Sequence, residues 1–94
     1  MNRGIDILTE ILQRKLIPVE CIVKDESALH SHHSGNSGGK HYKLRIVCLN
    51  FEGKSLLERH RIIYSCLGNL MHTEIHALAI HALAPSELRK FNRK

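Results

Sequence analysis

Residues 51–70 read FEGKSLLERHRIIYSCLGNL, and the order of residue types in this run predicts a turn, a capped helix and a stop. Gly53 marks the turn. Ser55 suits a helix N-cap, and Glu58 stands three residues on, the spacing at which a capping box closes. Leu56, His60, Ile63 and Leu67 then fall on one side of a helix over 55–67. Gly68-Asn69 stops it, with room for one further turn. His60 is expected to be half-buried and hydrogen-bonded on the apolar stripe. Arg59 and Arg61 flank it and are expected to point away, toward solvent or a phosphate.

Upstream, residues 42–49, YKLRIVCL, alternate. Tyr42, Leu44, Ile46 and Cys48 face one way, and Lys43 and Arg45 the other, as a strand with one buried face requires. Residues 19–25, VECIVKD, alternate as well, with Val19, Cys21 and Val23 opposite Glu20, Ile22 and Lys24. Ile5, Leu8, Leu12 and Leu16 repeat at helical spacing over 5–16, and Pro18 ends that helix by Ile17. Downstream, IHALAIHAL over 75–83 reads as a third strand, and Pro85 opens a short final helix with Glu87 in its first turn. The order αββαβα predicts an α+β fold with a three-stranded mixed sheet and helices on one face. All 94 residues are expected to form a single domain with a long inter-strand loop over 26–40 and a basic tail over 89–94.

Lys and Arg exceed Asp and Glu to give a net charge of +5. That excess suits nucleic acid or an acidic protein surface without selecting either. No apolar run approaches the roughly 20 residues of a membrane span, and MNRGIDILTEIL resembles neither a secretory nor a transit segment. Three cysteines, Cys21, Cys48 and Cys66, contain no CxxC pair, which argues for a reducing compartment and buried thiols. The expected location is cytoplasmic, with nucleus and mitochondrion left open.

The inter-strand loop carries LHSHHSGNSGGKH, residues 29–41. A neutral imidazole can ligate zinc, copper or iron, but Ser-Gly backbone costs entropy to order and the loop offers no cysteine. On composition alone a mobile hairpin tip is favoured. Gly35-Asn36-Ser37-Gly38 matches the GXXG clamp of RNA-binding KH domains, but it lies between two strands rather than two helices. His76 is expected on the face of Leu78 and Ile80, and His81 on that of Ala77 and Ala79. His72, four residues before His76, has a helical metal-pair spacing, but the strand must begin between them. No nucleophile elbow, acid pair or GxxxxGK loop occurs.

Taken together, FEGKSLLERHRIIYSCLGNL and IHALAIHALAPSE closely resemble the BolA family. Phe51, Gly53, Arg59-His60-Arg61, Leu67, Ile75-His76-Ala77-Leu78 and Pro85 fall where that family places such residues. Asp25-Glu26-Ser27 and His41-Tyr42 bracket the loop in the family's manner, so the resemblance spans residues 5–88. It implies a KH-like fold of the second type that lacks the GXXG loop in its RNA-binding place. It also implies a non-enzymatic partner of monothiol glutaredoxins, serving iron–sulfur trafficking or iron regulation. In that arrangement a 2Fe–2S cluster is shared with the glutaredoxin's cysteine and glutathione. The chain alone would be a cluster-free monomer, and the complex a heterodimer. The ligands carried over are His76 and, by its distance from Asp25-Glu26-Ser27, His30, with His33 and His32 as alternates. His41, at the strand's start, is expected to be structural. The competing reading is a transcriptional regulator that holds DNA on a KH-like surface through Lys43, Arg45, Lys54, Arg59 and Arg61. Scarce aromatic surface for base stacking counts against it.

Overall fold

The computed structural model describes residues 3–27, 40–73 and 75–92, with the side chains of His76 and of residues 89–92 outside that description. The elements follow the expected order. They are α1 (Arg3–Leu16), β1 (Glu20–Asp25), β2 (Lys40–Val47), α2 (Leu56–Leu67), α3 (Leu70–Thr73), β3 (Ile75–Leu83) and α4 (Pro85–Asn92). The sheet is ordered β1-β2-β3, with β1 antiparallel to β2 and β2 parallel to β3. It is therefore mixed, and α2 and α3 make the crossover that a parallel pair needs.

The core lies between one face of this sheet and helices α1 and α2. Leu8, Leu12 and Leu16 come down one side of α1, and Ile63 and Leu67 down one side of α2. They meet Val23, Leu44, Ile46 and Ile75 from the sheet. Full burial of each such aliphatic side chain contributes about 1.5–3 kcal/mol. The first-helix stripe and the inward set of β2, Tyr42, Leu44 and Ile46, are those the periodicity predicts. Ser55 and Glu58 close the capping box, with the Ser55 N–H donating to Glu58 at 2.9 Å and the Glu58 N–H to Ser55 at 3.1 Å.

Three local expectations change, and the expected end of α1 before Pro18 takes an unusual geometry. β2 begins two residues earlier than its alternation suggests, pairing Lys40 with Ile75, and ends two earlier, where a 3₁₀ turn over Leu49–Phe51 folds Phe51 into the core. Val19 precedes β1 and is exposed, although its N–H still donates to the Val47 carbonyl at 2.8 Å. Ile17, between α1 and Pro18, has φ +48° and is 81% exposed. A β-branched residue at positive φ is strained. It is held there by its N–H to the Gln13 carbonyl and by the Cys48 thiol donating to the Leu16 carbonyl at 3.2 Å.

The third change concerns α2. Leu56 is exposed, and the buried stripe runs Arg59, Ile63 and Leu67, with His60 half-buried and edge-on to Tyr64. Arg59 does not reach solvent. Its guanidinium donates to both Glu87 carboxylate oxygens, at 2.7 and 3.0 Å, and to the carbonyls of Lys54 and Ala82, each at 3.0 Å. Hydrogen bonding to Glu87 raises the Arg59 pKa against the opposing effect of burial, so the group stays charged. Glu87 also accepts the Ala84 N–H at 2.8 Å, and Glu52 accepts from the N–H and hydroxyl of Ser86. Two carboxylates thus serve the start of α4, where helix N–H groups have no internal partner.

Truncating Arg59 or Glu87 to alanine strands the other charge. Urea unfolding should show either variant destabilised by about 3 kcal/mol, the lower end for a buried pair because a third of the Glu87 side chain meets solvent. Arg59→Met combined with Glu87→Leu should recover much of that loss. A second expectation concerns acid. The Ser55 backbone N–H and then its hydroxyl hold the Glu58 carboxyl below its ordinary pKa. The folded state therefore binds that proton more weakly than the unfolded chain. The box's contribution is present above the ordinary glutamate range and is lost as pH falls through the lowered value. Ser55→Ala should flatten this acid limb in unfolding curves taken across pH.

Candidate functional site

Strand directions decide which residues meet. β1 ends, β2 begins and β3 begins at the same end of the sheet. There the two sides of the histidine-bearing loop are tied together. The Ser27 N–H donates to Asp25 at 2.9 Å, the His41 N–H to the Ser27 hydroxyl at 3.1 Å, and the Glu26 N–H to the His41 carbonyl at 2.7 Å. Ser27 thus joins the two flanks through one hydroxyl. His30, His32 and His33 lie outside the described residues, as does Gly35-Asn36-Ser37-Gly38.

His76 stands at the same end, and the backbone around it is irregular. Lys40 pairs with Ile75 and His41 with Ala77, so the register skips residue 76. Ile75 is buried and Ala77, two residues on, is exposed, which agrees with a change of face between them. An extra residue in a ladder turns the strand locally and re-aims what it carries. Such irregularities favour strand edges and functional sites. The alternation that put His76 on the face of Leu78 and Ile80 is therefore interrupted at that residue. α3 ends at Thr73 and β3 starts at Ile75, so His72 and His76 are not on one helix. Among the described residues, no three His, Cys, Asp or Glu groups gather as a metal set.

The second candidate surface is the sheet's other face. Ile22 and Lys24 from β1, Lys43 and Arg45 from β2 and His81 from β3 line a shallow depression of about 240 Å³. Register sets Ile22, Arg45 and His81 in one row, and Lys24, Lys43 and Ala79 in the next. Arg45 makes an ion pair with Glu20 at 3.3 Å. Of the basic residues read for nucleic acid, only Lys43 and Arg45 lie here. Lys54 and Arg61 are exposed at and along α2, which packs on the opposite face. Arg59 is withdrawn from that set by Glu87. Lys24 and His81 join the face through register, which alternation within single strands does not give.

The thiols are muted. Cys48 is buried, and Cys21 and Cys66 are half-buried. Burial raises the pKa of both half-buried thiols, which leaves little nucleophilic thiolate. No helix among the described residues is long and apolar enough to cross a membrane.

A family model described as "BolA-like protein" matches residues 12–87. Over 93 residues the chain is 42% identical to "SufE-like protein 1, chloroplastic/mitochondrial" of Arabidopsis thaliana, covering 93% of this chain and 25% of that protein. It is 39% identical over 84 residues to "Protein BOLA1, chloroplastic" of the same plant, covering 85% of this chain and 52% of the relative. With the "DNA-binding transcriptional regulator BolA" of Escherichia coli (strain K12) it shares 38% identity over 80 residues, 85% of this chain and 74% of that one. The chain thus spans a quarter and a half of the two plant relatives' lengths. The solved BolA domain of SufE1 from Arabidopsis thaliana superposes with a TM-score of 0.82 at 40% identity, covering 93% of this chain and 98% of that domain.

If the Ser27 hydroxyl joins the loop's two flanks, Ser27→Ala should release them. The expected cost is about 1 kcal/mol for one lost hydrogen bond. Amide hydrogen exchange should quicken at His41 while Leu44 and Ile46 keep their protection.

Proposed function

The chain belongs to the BolA-like family, and on that premise we propose that it is a non-enzymatic partner of a monothiol glutaredoxin. The cargo is a 2Fe–2S cluster shared with the glutaredoxin's cysteine and glutathione. His76 is one ligand from this chain, and His30, or His33 or His32 in its place, is the other. The observation that carries this reading is the sheet end itself. The skipped register position is a histidine, and the tied flanks of the histidine-rich stretch stand beside it. The donor chemistry fits, because neutral imidazoles ligate iron and replace thiolates in some 2Fe–2S centres. Imidazoles must lose their protons to bind metal, so the shared cluster is acid-sensitive and suited to transfer or regulation. The proposed location is cytoplasmic, although the two Arabidopsis relatives are named as organellar.

Nucleic-acid binding is the second reading. It is favoured by the Escherichia coli relative's name and by the exposed Lys43, with the half-buried Arg45 on the same sheet face. Lys54 and Arg61 stand on the other side of the sheet, so the four cations do not form one strip.

Mixing the chain anaerobically with cluster-loaded monothiol glutaredoxin should change the visible circular dichroism and give a heterodimer on sizing. His76→Ala should abolish that spectral change while its unfolding curve matches the parent's. An unaltered spectral change in the variant would remove His76 as a ligand. Mobility shifts with duplex DNA that persist near physiological salt would favour the second reading.

A further inference from the structure

The open face of the sheet has no part in the cluster reading, and its charges are arranged against the fold's own stability. Lys24 and Lys43 are register partners across β1 and β2, and both are exposed. Like charges directly opposite on one sheet face repel and destabilise the pair. Among the described residues neither lysine makes an ion pair, and no carboxylate lines the depression. Glu20, on the same face of β1, is engaged by Arg45. In the adjacent row Arg45 and His81 are register partners, so groups able to donate hydrogen bonds to an anion come from all three strands.

We propose that Lys24, Lys43, Arg45 and His81 form an anion site that takes a small phosphorylated compound carrying at least two negative charges. The lysines supply point charges that a multivalent anion would neutralise together, and guanidinium geometry matches paired phosphate oxygens. Size sets the class. The depression holds about 240 Å³, below the roughly 300–1,000 Å³ of sites for drug-sized ligands. A nucleic-acid strand would seek aromatic platforms and a continuing basic track. The lining residues include no Phe, Tyr or Trp, and Lys54 and Arg61 lie with α2 on the far side. The occupant proposed is therefore a compact phosphate group and not a nucleic-acid strand.

Pyrophosphate is the probe, titrated into the full chain at constant ionic strength and followed by amide chemical shifts. Saturable shifts are expected at Ile22, Lys24, Lys43, Arg45 and His81. The double variant Lys24→Ala/Lys43→Ala should bind at least roughly tenfold more weakly, the loss of a charge-assisted contact. Lys24→Glu should abolish the response and, without pyrophosphate, raise the thermal midpoint by pairing with Lys43. Shifts that stay linear, or that appear equally around Lys15 and Lys54, would overturn the site. An oligonucleotide that saturates the same amides below the pyrophosphate concentration, counted as phosphate, would overturn the class.

Discussion

The Arg59–Glu87 pair joins parts of the chain that share no sheet pairing. Through one guanidinium and one carboxylate, α2, the end of β3 and the first turn of α4 are held in a common geometry. Burying a guanidinium is costly unless its donors are used, and four hydrogen bonds use them here. The same Glu87 carboxylate also accepts the Ala84 N–H at the start of α4, where Glu52 accepts from Ser86. A charge inside the molecule therefore acts as a joint, with both termini of the interaction defined in direction as well as distance.

With that joint fixed, the sheet divides the molecule's chemistry. One face is sealed by α1 and α2. The other is open and basic. The end where β1 stops and β2 and β3 start gathers histidine backbone and the tied flanks of the loop. The Lys24–Lys43 row adjoins that end, but the two sets share no side chain, so a cluster at the sheet end and an anion on the open face need not compete for the same residues.

Much of this was legible from local patterns. The α1 stripe, the capping box, the stop at Gly68-Asn69, the bounds of β3 and the inward set of β2 each depend on residues within a turn or two of one another. What the sequence did not disclose depends on distant partners. Arg59 goes inside because Glu87, 28 positions away, meets it. A rule that sends charges outward has no access to that contact. The skipped register at His76 follows from how β2 and β3 align, and a run such as IHALAIHAL carries no local mark of it. The basic face was half visible, since alternation grouped Lys43 with Arg45, but only strand order brings Lys24 and His81 beside them. The choice of His76 among eight histidines rests on the family resemblance and not on pattern reading.

The corner at Ile17 has a practical consequence. Its backbone sits in a conformation that costs of order 1–3 kcal/mol for a non-glycine residue, yet its side chain lies in water and fills no part of the interior. Asparagine or glycine would adopt that geometry with less penalty and leave no hole behind. An engineer seeking a hardier version of this molecule could begin there, at a side chain that takes no part in the core or in either proposed site.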